Sequence, residues 1–283
     1  MKKIPQDIVG NVALLKFKRH VPWIIKKLKA HKFLKENKNV TTVLEKTAGF
    51  SGELRTLSTK YLAGIKTTQA TYKENNCIFK FDINESYFSP RLSNERKIIA
   101  EQVEKLCKKN KTTKILVMFA GISPYPITIA KRLYEKKKKA LIISNELNEK
   151  ANEESEKNIR INKVQDYVKL INGDARNLPK KIKELQAKRT KSTGRLNVKE
   201  TLVPLRFDII LMPRPNLKDT FLQSALKLSK KGTTIFYHGF GTEKKVLEEI
   251  KKDTKNKIGK IQIRKAGDIG PYEFRWQAVF RVK

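Results

Sequence analysis

Cysteine is scarce in this chain: 283 residues contain two, Cys77 and Cys107, far apart and each inside an apolar pattern. That argues against a disulfide framework or a thiolate metal site, and both read as buried free thiols. The three histidines, His20, His31 and His238, lie far from one another and from either cysteine, so no metal-ligand spacing appears. No apolar run approaches the ~18 residues of a membrane-spanning helix and no signal-peptide core follows Met1, so the expectation is a soluble, cytoplasmic protein. There is no internal repeat. Acidic residues are also few, 28 against 63 Lys and Arg, which leaves a net charge of +35. Such an excess repels itself in the folded state and is most easily understood if a polyanion neutralises it, although lysines that merely solvate the surface account for part of it. With 39% hydrophobic residues a real core can form, in one large or two moderate domains.

What is present is organised around Ile115–Leu133. Six apolar residues end at Gly121, and after Pro124 and Pro126 a helical pattern begins, which reads as buried strand, tight turn and helix N-terminus. A glycine there lets backbone approach a ligand closely, and exposed N–H groups at a helix start favour a polar or anionic one. A single glycine, not the three of the dinucleotide fingerprint, disfavours a dehydrogenase.

Before this stretch, residues 4 to 17 predict a small hairpin around a Gly-Asn turn, Val21 to Leu34 a helix with one buried stripe (Ile24, Ile25, Leu28, Phe33) and a basic outer face, and Val40 to Lys46 a strand. Gly49 to Arg55 reads as a loop leading into a basic segment, and the alternation Cys77, Phe79, Phe81, Ile83 as a half-buried antiparallel strand. Residues 1–84 are thus expected to form a small basic α+β domain. Tyr87 to Arg96 is loop chemistry before a helix that Ser93 or Asn94 can cap and whose core face is Ile98, Ile99, Val103, Leu106 and Cys107. Strands at Ala140–Ser144, Val168–Ile171, Phe207–Met212 and Thr233–Tyr237 then alternate with helices at about 148–162, 179–187, 219–229 and from Glu243, and two strands, Ile261–Lys265 and Phe274–Val282, close the chain. Residues 85–283 therefore predict an α/β domain, a mostly parallel sheet with helices on both faces and an antiparallel edge. The aperiodic, basic stretch at about 188–204 is expected to be a mobile insertion, with phosphate contact as its alternative use.

In such sheets the ligand sits beyond the C-terminal strand ends. Glu146 ends the second strand, where a carboxylate can accept from ribose hydroxyls. Asp174 ends the third, within reach of an adenine edge, and the fourth ends in the rigid Met212-Pro-Arg-Pro-Asn216. Taken singly, each has a plain alternative, as helix cap, turn closer or strand stop.

Four segments, Tyr87-Phe-Ser-Pro-Arg-Leu-Ser-Asn-Glu-Arg96, Met118-Phe-Ala-Gly-Ile122, Asn158-Ile-Arg-Ile-Asn-Lys-Val164 and Gly173-Asp174, occur in that order. In them the chain resembles the archaeal and eukaryotic tRNA (guanine-37-N1)-methyltransferases and the related wyosine-pathway enzymes, from about Asp7 to the C-terminus. The resemblance implies a class I, Rossmann-like methyltransferase domain, S-adenosylmethionine as methyl donor, tRNA as partner around the anticodon stem-loop, a monomer, and an N-terminal domain that positions RNA. It further implies Glu95 as general base and Arg55 as the donor to the guanine O6. For the methyl-donor pocket it points to Tyr87, Phe119, Ala120, Gly121, Glu146, Asn148, Asp174, Met212 and Pro213, and for RNA contact to Arg91, Arg96 and Pro215. The chemistry agrees: N1 must lose a proton as the methyl arrives, charge builds on O6, and the flanking Arg91 and Arg96 can hold phosphates or shape the acidity of Glu95. Spacing alone would equally allow Glu95 as a first-turn helix residue and Arg55 as one more surface cation.

The departures are specific. Val117 and Ser123 stand where the family usually has Asp and Gly, Glu146 replaces an Asp, and Pro213 replaces an Asn, as in an archaeal subgroup that also methylates C7 of the wyosine precursor. The alternatives are a wyosine-pathway aminocarboxypropyl transferase, or a catalytically silent tRNA-binding protein on the same scaffold.

Overall fold

The computed structural model describes residues 4–49, 51–191, 203–255, 257–270 and 272–283. The chain divides into two compact units, one made of Met1–Ser93, Gly121–Pro124 and Asn148–Lys163, the other of Asn94–Ala120, Tyr125–Leu147 and Val164–Lys283.

In the first unit the expected hairpin is present, β1 (Gln6–Val9) against β2 (Val12–Leu15), turning at Gly10 with φ +59°. Helix α1 (Trp23–Glu36) crosses over to β3 (Thr42–Lys46), parallel to β2, and β4 (Thr59–Gly64) completes a four-stranded sheet. Three of the four residues of the expected stripe of α1 are not buried: Ile24, Ile25 and Leu28 are 71%, 42% and 64% exposed. The fourth, Phe33, packs on the sheet core with Ala30 and Leu34, about half a helical turn round from Ile24 and Leu28. β5 (Gln69–Glu74) pairs with β6 (Cys77–Asp82), whose alternating burial is the pattern read from Cys77 to Ile83.

Helix α4 (Glu149–Ile161) finishes the free edge of β6 with side chains. Asn162 Oδ1 accepts from Ile78 N at 2.8 Å, Asn158 Oδ1 from Lys80 N at 2.8 Å, and Glu154 Oε1 from Asp82 N at 2.6 Å. Four helical residues rise ~6 Å and two strand residues ~6.7 Å, so positions i, i+4 and i+8 of a helix meet alternate N–H groups of a strand. Glu154 also accepts from the Ser86 hydroxyl. The Asn158–Asn162 motif is therefore an edge cover, built where unpaired N–H groups would be costly.

The second unit is a seven-stranded sheet. After α2 (Ser93–Leu106) come β7 (Thr113–Met118), α3 (Pro124–Glu135), β8 (Ala140–Glu146), β9 (Val168–Asn172), α5 (Leu178–Lys191), β10 (Phe207–Met212), α6 (Leu222–Lys227), β11 (Ser229–Gly241), α7 (Glu243–Thr254), β12 (Gln262–Gly270) and β13 (Glu273–Arg281). The order is β12-β13-β11-β10-β7-β8-β9, parallel except where β13 joins β11 and β12. This is the expected mostly parallel sheet with an antiparallel edge. Leu116, Met118, Leu141, Ile143 and Ile210 share one core with α5, α6 and α7. The alternate residues Ile115, Val117 and Ile142 are equally buried and point to the opposite face. Helix α6 is shorter than expected because Asp219 Oδ1 caps Phe221 N at 2.8 Å while Phe221 itself sits at φ +58°. Residues 188–191 continue α5, and 192–202, most of the expected mobile insertion, lie outside the described residues. Among the described residues no helix is long and apolar enough to cross a membrane.

Candidate active site

In the second unit the strand ends are stitched to one another by backbone and one asparagine. Ala120 N donates to Asn145 O at 2.9 Å, Gly173 N to Glu146 O at 2.8 Å, and the buried Asn145 Nδ2 to the carbonyls of Ile171 and Gly173 at 3.0 and 2.8 Å. These bonds fix Phe119, Ala120, Glu146 and the Gly173-Asp174 turn in a row at the carboxyl ends of β7, β8 and β9. Phe119 departs from the strand at φ +58°, a conformation that costs a bulky residue of order 1 kcal/mol or more and persists only where its surroundings impose it. Its half-buried ring meets Phe221 edge-on, with centroids 4.8 Å apart. Asp174 caps Arg176 N at 2.8 Å and holds the Arg176 guanidinium at 2.6 Å, and that hydrogen-bonded arginine lowers its pKa. So Asp174 closes its turn, as one plain alternative had it, and stays ionised. Met212 is fully buried in the core and offers the strand ends only its backbone, whereas Pro213 and Pro215 are half-buried.

Glu95, on the first turn of α2, is buried and has two charged or polar partners from the antiparallel side of the sheet. His238 Nε2, on β11, lies 3.1 Å from Oε1, and Arg264 Nη2, on β12, lies 2.9 Å from Oε1 and 2.7 Å from Oε2. Burial pushes the carboxyl pKa up, but the hydrogen bonds from His238 and Arg264 and the guanidinium charge outweigh it, and the net shift is down. Burial in turn pushes the His238 pKa down, so at neutral pH the pair is a carboxylate facing a neutral ring. Because a carboxylate only accepts, Nε2 carries the ring proton; Nδ1 is buried without a hydrogen-bond partner. Arg96, expected to hold a phosphate or to shape the acidity of Glu95, is 2% exposed, with its guanidinium 6.0 Å from the Tyr125 ring. The reason lies in the helix: Arg96, Ile99, Ala100 and Val103 share its buried face.

In the first unit Arg55 sits at φ +55° in a turn closed by the Ser51–Thr56 bridge, and its guanidinium stacks 3.9 Å above the Tyr87 ring. Gly121 also has φ +56°, and its carbonyl accepts from Ser155 Oγ at 3.0 Å. A Cβ there would meet Tyr87 O at 3.5 Å, an ordinary contact, so the glycine answers to backbone conformation and not to lack of space. Ser123, also at a positive φ of 64°, is buried and donates to Ser155 Oγ at 3.0 Å. Asn148 caps α4 through Oδ1, and its Nδ2 donates to Glu85 O at 2.7 Å, tying the cap to the segment that carries Tyr87. Arg91 is exposed and pairs with Asp7 at 2.7 Å.

Four residues of the second unit went unread in the sequence: His238, Arg264, Phe221 and Arg214. The last is the middle of Pro-Arg-Pro, yet it is 2% exposed, donating to Leu217 O at 2.9 Å and to Glu249 at 3.0 Å, with its guanidinium 5.0 Å from the Tyr237 ring. Its flanking prolines were the only local signal. His238 and Arg264 are 143 and 169 residues from Glu95, beyond any motif. Among the described residues no group of three His, Cys, Asp or Glu could hold a metal ion.

Against known proteins, the family model described as TRM5/TYW2 methyltransferase domain matches residues 70–190. The chain is 32% identical, over 95% of its length and 96% of the relative's, to the tRNA (guanine(37)-N(1))/4-demethylwyosine(37)-methyltransferase Taw22 of Nanoarchaeum equitans. It is 29% identical to the tRNA (guanine(37)-N(1))-methyltransferase Trm5b of Pyrococcus abyssi, of which it spans 60%. The crystal structure of Trm5b from Pyrococcus abyssi superposes with a TM-score of 0.73 at 28% identity, over 99% of this chain and 75% of that one.

Proposed function

The chain belongs to the TRM5/TYW2 methyltransferase family, and from that premise we propose that it transfers a methyl group from S-adenosylmethionine to N1 of guanine 37 in tRNA, with C7 of the wyosine precursor as a second acceptor. The observation that carries the reading is Glu95, a buried carboxylate kept ionised by His238 and Arg264. The second acceptor rests on the likeness to a relative whose name gives both substrates and on Pro213 in place of the usual asparagine.

The residues suit the donor. Phe119 offers an aromatic face held in place by backbone conformation, Glu146 a half-buried carboxylate for ribose hydroxyls, and Asp174 an ionised one toward the adenine. Ala120 and Met212 contribute backbone and Pro213 a rigid turn; of the first unit, Tyr87, Gly121 and Asn148 are the residues that the family resemblance assigns to the donor. When bound, S-adenosylmethionine supplies an electrophilic methyl carbon on a sulfonium. Glu95 takes the N1 proton, the N1 lone pair forms the new bond to carbon as the carbon–sulfur bond breaks, and the sulfur departs as a neutral thioether. Arg55 donates to the O6 on which charge develops. Nothing in this scheme needs a nucleophilic cysteine; positioned reactants supply most of the acceleration.

Residues 1–84 act as the RNA-positioning domain and 85–283 as the methyltransferase domain. Arg91 and Pro215 contact RNA near the anticodon stem-loop, and the protein works as a cytoplasmic monomer. Incubation with donor and an unmodified transcript carrying guanine 37, followed by nucleoside mass spectrometry, tests the reading. It expects 1-methylguanosine, and its absence on both this transcript and one carrying the tricyclic precursor refutes it in favour of a silent RNA binder.

A further inference from the structure

The two partners of Glu95 differ in how firmly they are placed. His238 is 1% exposed and stands on β11, which is paired on both sides, whereas the Arg264 side chain is 33% exposed and stands on β12, the outermost strand of the sheet. Arg264 reaches both carboxylate oxygens with Nη2 alone, while its Nε is buried without a hydrogen-bond partner. A guanidinium that meets a carboxylate through one nitrogen lacks the second parallel bond of the fork geometry and is held correspondingly less firmly. His238 has one face on Glu95, Tyr125 of α3 with ring centroids 6.2 Å away, and the charges of Arg275 on β13 and Arg264 on β12 acting on it.

We propose that His238 is a positioning residue that fixes Oε1 of Glu95 permanently, while Arg264 is a releasable guard on Oε2 that the acceptor's N–H displaces. This rests on the reading of Glu95 as the base. Guarded, the carboxylate is a weak base shielded from solvent and stray cations. When the acceptor N1–H replaces Arg264 on Oε2, one of the interactions that stabilise the ionised form is lost, so the same carboxylate becomes a stronger base at the moment it has a proton to take. The guanidinium, freed but still adjacent, remains beside the negative charge, which passes from carboxylate to guanine as the proton moves the other way. Arginine so placed steadies charge without changing its own protonation.

The test is single-turnover methyl transfer to an unmodified guanine-37 transcript as a function of pH, under saturating and subsaturating enzyme, for the wild type and for Glu95→Gln, His238→Phe, His238→Gln and Arg264→Gln. Subsaturating rates report Glu95 in the free enzyme and saturating rates report it in the complex. The wild type is expected to show its acid limb at higher pH in the complex than in the free enzyme. Arg264→Gln should raise the free-enzyme limb until the two coincide. His238→Phe should raise both by about one pH unit, the size of one lost hydrogen bond to a carboxylate, and His238→Gln, whose amide N–H still donates, should bring both most of the way back. Inactive Glu95→Gln with unshifted limbs in Arg264→Gln and in both His238 variants would overturn the guard while leaving the base in place. Wild-type turnover in Glu95→Gln would instead overturn the base itself.

Discussion

Asn158→Ala removes one rung of the side-chain ladder between α4 and β6. Asn158 is fully buried, and its Oδ1 accepts the Lys80 N–H at 2.8 Å. Alanine leaves that donor facing protein without an acceptor, which costs about 1–3 kcal/mol, more than the net worth of an average hydrogen bond, because desolvation of the N–H is no longer offset. For a chain of this size that is a fall in Tm of roughly 2–4 °C per kcal/mol. Hydrogen exchange gives the sharper readout: the Lys80 amide should lose protection, while Ile78 and Asp82, held by Asn162 and Glu154, serve as internal references. Asn158→Asp keeps the acceptor and should restore the Lys80 bond, although it adds a second carboxylate one turn from Glu154. Unchanged melting together with unchanged Lys80 exchange in the alanine variant would refute the ladder as a source of stability.

Burial raises the pKa of Glu154 despite the hydrogen bonds from Asp82 and Ser86 that favour its ionised form. A carboxyl whose folded pKa exceeds its unfolded one contributes stability that is full below the unfolded pKa and lost as pH rises through the folded one. Glu154→Gln should therefore gain on the wild type as pH rises from about 4 toward neutrality, and parallel denaturation curves across that range would contradict this. Arg214→Met strips Glu249 and the Leu217 carbonyl of a buried donor and should cost about 3 kcal/mol in urea unfolding; a change within error would mean the loop after β10 does not depend on it. Binding of tRNA should weaken steeply with salt, log K falling linearly with log salt concentration, and a flat dependence would show that the +35 charge is not the source of affinity.

The sheet was readable because its strands are continuous apolar runs between helical periods, as at Ile115–Met118 and Phe207–Met212, where burial on both faces leaves no other pattern. Helix α1 misled because its apolar residues outnumber its contacts: periodicity marks a stripe but not which side the sheet takes. β4 and β5 went unread, since Lys60, Lys73 and their polar neighbours break the alternation that pairing imposes only on their buried residues. Of the proposed site, Glu95, Arg55 and the strand ends lie in local motifs that a sequence reading can single out. His238 and Arg264 do not, because they reach Glu95 only through sheet topology. For Arg96 the sequence left two uses open, a phosphate or the acidity of Glu95, and gave no sign that the helix turns it inward.

The measurement closest to the centre of this account compares Glu95→Gln with the wild type in methyl transfer to guanine 37 and in tRNA affinity. Glutamine preserves size and still accepts from Arg264 but cannot take the N1 proton. The account predicts loss of turnover with tRNA affinity retained. Wild-type turnover in the variant, or an equal collapse of affinity, would contradict it and leave Glu95 a structural anchor for α2.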